Sequence, residues 1–290
     1  MNKEIVRFLM RWVVVLFAFS FGYIPHLQAQ KKGLKTLVID AGHGGRDPGA
    51  LRYKLDKNEK DIALEVALKL GKMINDSLKD VKVVYTRTTD IYPELKERHA
   101  IANNAHGDLF ISIHVNATAG TSRRVQNGFK YVGKGSKRRK VPVYTTIVNR
   151  ETQASGTETY VLGLHRNSQK EKAITEFGDN VTEEPGLLDE SDPMTQIIVA
   201  QYTQAFLNKS VNFADKIERN FVGVTGRKSY GVKQKGLEVL AGSAMPGVLV
   251  ELGFINNEDD EIFMNSHEGQ MKLVYAMFKA IKDYKMEMNK

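Results

Sequence analysis

The 290-residue chain contains no cysteine. That excludes disulfides, thiolate metal ligands and a lipid-modified cysteine, so any metal must be held by His, Asp or Glu. It also lacks a long apolar run: the stretch Trp12 to Phe21 falls short of the roughly 20 residues a membrane span needs. No internal repeat appears, and no linker announces a second globular domain or a wall-binding module. With 42 Lys and Arg against 34 Asp and Glu, the formal charge is +8. This modest excess favours an anionic polymer as partner without being a nucleic-acid signature.

What the chain does have begins at its amino terminus. Residues 1–29 carry the three parts of a secretory signal: a basic start at Lys3, Arg7 and Arg11, the apolar stretch, and Leu27-Gln28-Ala29 before a cleavage point at Gln30. Export is expected, to the periplasm rather than the medium, with a retained amino-terminal anchor as the alternative. Removing the segment takes away those three basic residues and Glu4, lowering the charge from +8 to +6. The length remaining suits one α/β domain, residues 30–290, with insertions at about 117–156 and 167–220.

Hydrophobic periodicity predicts strands at 35–40, 81–86, 108–114, 158–162, 236–240 and 247–251. Helices are predicted at 59–78, 93–105, 192–220 and 267–285. Strands alternating with helices argue for a single-domain, three-layer α/β sandwich, with a mostly parallel wound sheet and helices on both faces. Such sheets bind ligands in the crevice at the carboxyl ends of their strands.

Four residues point into that crevice. His43 follows the strand Lys35-Thr36-Leu37-Val38-Ile39 in a glycine-rich turn, His114 ends Leu109-Phe110-Ile111-Ser112-Ile113, and Glu251 ends Gly247-Val248-Leu249-Val250. Glu59 opens a helix, where the macrodipole alone would explain a carboxylate. Ionisable groups at the tips of apolar runs need partners, because burying an unpaired charge costs several kcal/mol. One shared metal answers all of them, and the residues read as a mononuclear zinc hydrolase.

The blocks Val38 to Ala50, Asn58-Glu59-Lys60, Thr86-Arg87, Asp108 to Ala117, Gly156-Thr157-Glu158-Thr159-Tyr160 and Val250 to Asn257 occur in one order. Together they resemble the zinc-dependent N-acetylmuramoyl-L-alanine amidases of the Amidase_3 type, over about residues 35–285. The resemblance implies cleavage of the amide between N-acetylmuramic acid and the L-alanine of the peptidoglycan stem peptide; spacing alone stops at hydrolase. It implies one Zn²⁺ held by His43, Glu59 and His114, with a fourth position for water and Glu251 as general base. The acidic turn at Glu183, Glu184, Asp189, Glu190 and Asp192 could fold over the metal and block it, and the resemblance adds that an inserted helix, here in the segment 167–220, can gate the site until an activator protein relieves the block. The expected species is a monomer acting on peptidoglycan, with no nucleic-acid partner and no stable membrane span once the signal is removed. The rival readings are a non-catalytic wall-binding or activator protein on the same fold, and a zinc peptidase acting on stem peptides.

Several neighbours take lesser roles. Arg46 and Asp47 are expected to shape the loop around His43, and Asn116 and His165 are candidates for substrate contact. Arg98 and Asn103 are expected to hold loop carbonyls or Asp90. The basic stretch 117–156 reads either as a surface steering an anionic substrate or as a solvated loop with no specific role.

Overall fold

In the first strand, β1 (Thr36–Ala41), Leu37, Ile39 and Ala41 point to one face of the sheet and Val38 and Asp40 to the other, all fully buried. A strand buried on both faces reads as a continuous apolar run, as parallel strands covered by helices do. The molecule, here a computed structural model describing residues 33–182, 188 and 192–289, is built around that pattern. After β1 come α1 (Glu59–Ser77), β2 (Lys82–Tyr85), α2 (Leu95–Asn104) and β3 (Leu109–Asn116). A two-stranded ribbon follows, β4 (Thr121–Val132) and β5 (Arg139–Asn149), then β6 (Thr157–Leu162), α3 (Asn167–Glu176) and the short α4 (Gly178–Val181). The chain ends with α5 (Pro193–Thr225), β7 (Ser229–Lys235), the one-turn α6 (Glu238–Ala241), β8 (Gly247–Phe254), α7 (Glu258–Asn265) and α8 (His267–Met288).

The main sheet runs β2-β1-β3-β8-β6-β7, with all neighbours parallel except β8 and β6. It is a mostly parallel α/β sheet with helices on both faces. One face, with Leu37, Ile39, Ile111, Ile113, Val248 and Val250, packs against α1, α5 and α8 and forms the larger core. The other face carries Val38, Phe110 and Leu249 under α6, and its strands end in polar side chains. His114, Glu251 and Glu158 occupy one row across β3, β8 and β6 on that second face. Alternation along the strands therefore places the ionisable groups.

Helix α5 starts at Asp192, whose side chain accepts from Met194 N at 2.8 Å, with Pro193 in the first turn, and stops at Gly226 in the left-handed region (φ 67°). This is the favoured arrangement of cap, proline and terminal glycine. Its residues Phe213, Ala214, Ile217 and Phe221 are fully buried in the larger core, so much of the 167–220 stretch serves as a structural layer of the sandwich. The acidic turn at Glu183, Glu184, Asp189 and Glu190 lies outside the described residues, as does the signal segment 1–29.

Several segments differ from the sequence expectation, among them the helices α3 and α7, where none was expected. The strand expected at 236–240 is instead β7 at Ser229–Lys235, and Glu238–Ala241 is a helical turn. The apolar Leu237, Val239, Leu240 and Ala241 pack into the smaller core as a helical turn, while the edge strand itself is polar and only half-buried. Residues 121–149, which lack an apolar periodicity, form an antiparallel hairpin whose β-branched and aromatic residues suit strands. Among the described residues, no helix is long and apolar enough to cross a membrane.

Candidate metal centre

The loop after β1 turns back on itself through paired backbone hydrogen bonds between Gly44 and Asp47 (2.9 and 3.0 Å). His43 itself takes φ 58°, a region that L-residues avoid. The loop is held in that shape from below. Arg98, on α2, donates to the carbonyls of Ala41 (2.8 Å), His43 (2.7 Å) and Pro93 (3.0 Å), and pairs with the fully buried Asp40 at 2.6 Å. Arg87 donates to the carbonyls of Ala41, Gly42 and Lys60. The role expected of Arg98 thus falls on loop carbonyls and Asp40, while Asp90 receives Lys60 and the Gly45 amide. Asn103 donates to Gly242 O at 3.0 Å and accepts from Ala244 N at 2.8 Å.

The donors of His43, Glu59 and His114 converge within 4.8 Å of one another. Glu59 Oε1 lies 3.1 Å from His43 Nε2 and 2.8 Å from His114 Nδ1, and it also accepts from Val115 N at 3.0 Å. Its other oxygen accepts from Ala50 N at 2.6 Å. The first turn of α1 thus carries the carboxylate round the end of the sheet to the histidines. Two glycines make room. A Cβ on Gly42 would fall 2.4 Å from His114 Cε1, and one on Gly49 (φ 65°) would fall 2.5 Å from Glu59 Oε2.

Burial disfavours protonation of His43, but the hydrogen bonds and charges of Glu59 and Asp47 override it and push the imidazole up to about 9. His114 moves the same way: burial opposes, and Glu59 outweighs it. Burial would raise the Glu59 carboxyl, yet the two histidines hold it below the usual carboxylate range. The buried carboxylate demands positive charge at this spot. Two imidazole nitrogens and a carboxylate oxygen at these separations fit a tetrahedral zinc, whose bonds to such ligands are about 2.0 to 2.2 Å.

Asp47 Oδ2 sits 2.7 Å from His43 Nδ1, and its Oδ1 accepts from Gly49 N at 3.0 Å. It therefore fixes the ring so that Nε2 faces Glu59, the service that a carboxylate behind a metal-binding histidine supplies. Asp47→Ala is expected to weaken zinc affinity by about 10- to 100-fold while leaving the fold intact, as read by competition against a fluorescent chelator. Unchanged affinity would remove Asp47 from this role. Arg46 faces away, to Glu94 and the Tyr92 ring.

Glu251 lies on β8 opposite His114, outside the three-donor cluster. Its Oε2 is buried with no hydrogen-bond partner. Burial pushes its carboxyl up to about 7, with Glu59 and Glu158 adding to the shift and His114 opposing it.

On its other side stands Glu158, 3% exposed, a residue to which sequence reasoning gave no role. It accepts from Asn116, from Tyr160 Oη at 2.6 Å and from Lys233. Its only sequence signal was its place in the block Gly156 to Tyr160, because it stands between two threonines rather than at the end of an apolar run. Asn116 is thereby engaged within the protein rather than turned to the cleft, and His165 packs against Gly236. The cleft above the donors is lined by Gly42, His43, Asp47, Tyr92, His114 and Leu237. Among the described residues of 167–220, none lines it.

An open cleft, a His-Glu-His donor set and a neighbouring unpartnered carboxylate at the strand ends of an α/β sheet define an α/β protein with a candidate metal centre. The family model described as N-acetylmuramoyl-L-alanine amidase matches residues 37–283, and the chain belongs to that family. It is 27% identical over 250 residues to the N-acetylmuramoyl-L-alanine amidase AmiC of Escherichia coli, covering 86% of this chain and 52% of that protein. The chain thus spans about half the length of that relative. The crystal structure of an N-acetylmuramoyl-L-alanine amidase from Clostridium difficile 630 has the same fold, with TM-score 0.58 and 24% identity, covering 87% of this chain and 97% of that one. So does the CwlD amidase from Clostridioides difficile, solved in complex with the GerS lipoprotein, with TM-score 0.56 and 23% identity, covering 86% and 98%.

Proposed function

We propose that this chain is a peptidoglycan hydrolase that cleaves the amide between N-acetylmuramic acid and the L-alanine of the stem peptide, with one Zn²⁺ held by His43, Glu59 and His114. The observation that carries the reading is the pairing of the three-donor cluster with the unpartnered Glu251 carboxylate one strand position away. Family membership supplies the substrate class.

Zinc, when bound, supplies a Lewis acid that polarises the scissile carbonyl and makes water acidic enough to attack near neutral pH. Glu251 Oε2 accepts the proton of the attacking water and passes it to the stem-peptide nitrogen as the amide breaks, so no covalent intermediate is required. Its desolvated setting keeps the carboxyl close to neutrality in affinity for that proton, which suits a group that must both take and give. Asp47 orients His43, and Arg98 and Arg87 hold the loop. Glu158, tied to Asn116, Tyr160 and Lys233, keeps a second negative charge beside Glu251 and sustains its proton affinity.

The protein acts after export, in the periplasm, and works on the wall as a monomer. An activator protein regulates it, a reading supported by the CwlD amidase having been solved with a lipoprotein partner.

The test is mass spectrometry of soluble products from purified peptidoglycan incubated with residues 30–290, with zinc or with chelator. Intact stem peptides bearing a free L-alanine amine, absent with chelator, are the expected result. Shortened stems left on the glycan would move the activity to a peptidase. No product from folded, zinc-loaded protein, with or without envelope extract, would leave only a binding role.

A further inference from the structure

The hairpin β4–β5 carries Arg123, Arg124, Lys130, Lys134, Lys137, Arg138, Arg139 and Lys140 and no acidic residue. Its charge of +8 equals that of the whole chain, so the rest of the chain, residues 1–29 included, is neutral in sum, and net negative once those residues are removed. Twelve residues of strand extend roughly 40 Å, and every residue of β4 is exposed.

Register sorts the side chains. Residues paired across an antiparallel ribbon share a face, and the pairs Phe129 with Pro142, Tyr131 with Lys140 and Gln126 with Tyr144 gather the aromatics on one side. There Lys140 lies 4.2 Å from the centre of the Phe129 ring, Arg138 4.5 Å from Tyr131 and Arg124 4.8 Å from Tyr144. The rings remain 48 to 60% exposed. Each cation is held over a ring rather than neutralised by a carboxylate, which leaves a row of positive charges beside flat apolar surfaces.

The ribbon is rooted at the metal centre. It leaves β3 just after His114 and Asn116, and its two ends are clamped together by the buried Asn256. That side chain accepts from Thr118 N (3.1 Å) and donates to Thr118 O (3.1 Å) and Arg150 O. The base of the ribbon is thus fixed two residues beyond Asn116, close in the chain to His114.

We propose that this ribbon is a docking arm for the anionic glycan strands of the cell wall, a second binding surface that raises the local concentration of substrate at the cleft. The inference rests on the peptidoglycan reading given above. Charge complementarity with the stem-peptide carboxylates and exposed rings suited to stacking on sugar faces both point to this occupant. The tip, Gly133 to Arg138, is basic and glycine-rich with no apolar residue to enter a bilayer.

The test compares the protein with the triple variant Arg124→Glu, Arg138→Glu, Lys140→Glu and with Phe129→Ala, Tyr131→Ala, Tyr144→Ala. Co-sedimentation with intact sacculi is measured in a Glu251→Gln background at low and high salt. Turnover of a soluble muramoyl-peptide is measured in the active background. Expected are a loss of sacculus affinity of about tenfold or more at low salt for the charge variant, a smaller loss that persists at high salt for the aromatic variant, and unchanged soluble turnover. Equal sacculus binding by all three would overturn the proposal, as would tighter binding of the parent to vesicles of anionic phospholipid than to sacculi. A fall in soluble turnover would also overturn it, by making the ribbon part of the reacting site. Absence of soluble turnover in the zinc-loaded parent, with envelope extract added as well as without it, and with charge-dependent sacculus binding retained, would sink the amidase reading and leave the docking arm standing.

Discussion

Replacing Glu251 with glutamine is expected to reduce kcat on a soluble muramoyl-peptide by about 10²- to 10⁴-fold, the range over which a positioned general base contributes, with little change in KM. The same substitution should stabilise the fold of the metal-free protein. A carboxyl whose folded pKa is raised to about 7 binds its proton more tightly folded than unfolded, so the fold loses stability as pH rises from about 4.5 to 7 and the loss is complete above that. Glutamine has no such proton to lose. Denaturant unfolding with chelator present should therefore show the variant more stable by on the order of 1 to 3 kcal/mol at pH 7.5, and nearly equal to the parent at pH 4. With zinc added, the gain should shrink, because a cation at the neighbouring donors compensates the buried charge. A variant as active as the parent would remove Glu251 from the chemistry, and a variant less stable at pH 7.5 would mean that the carboxylate is partnered.

Sequence legibility followed burial. β1, β3 and β8 are enclosed on both faces, so their apolar runs stand out, and the ionisable residues at their ends mark where the sheet stops being covered. That was enough to bring His43, His114 and Glu251 under suspicion before any geometry. Glu59 was harder, since a carboxylate in a first helical turn has a bland explanation, and only its hydrogen bonds to both histidines and to Val115 distinguish it. Glu158 escaped notice because its strand, with three polar residues in Thr157-Glu158-Thr159, resembles a solvated edge. In fact Thr157 and Thr159 turn inward and donate to Glu218 on α5, which makes that strand interior despite its composition. β7 was misplaced for the converse reason: it is an edge strand with little to bury, and the apolar residues after it form a helical turn. The hairpin had no periodic signal because neither of its faces packs on the body of the protein.

Arg98→Met is expected to destabilise the protein by about 3 to 5 kcal/mol, the usual cost of removing one partner of a buried ion pair. Asp40 is fully buried and relies on Arg98 for charge, with Ser112 and Thr86 hydroxyls adding hydrogen bonds at 2.6 Å each. Although burial opposes ionisation, those partners together hold Asp40 below the usual carboxylate range. Removing the guanidinium strands a carboxylate and takes the side-chain donor from the carbonyls of His43 and Pro93, while that of Ala41 keeps Arg87. Two readouts follow from one substitution: a lower denaturant midpoint with unchanged slope, and weaker zinc binding in whatever fraction remains folded, since the left-handed turn at His43 loses its support. The double variant Asp40→Leu, Arg98→Met separates the two effects. Replacing both partners removes the stranded charge and should restore much of the stability, because a buried pair is worth little net against apolar residues of similar size. It does not restore the hydrogen bond to the His43 carbonyl, so zinc affinity should stay low. If affinity recovers along with stability, Arg98 serves the fold alone; if neither single nor double variant loses stability, the ion pair beneath the metal loop is not what holds that loop in place.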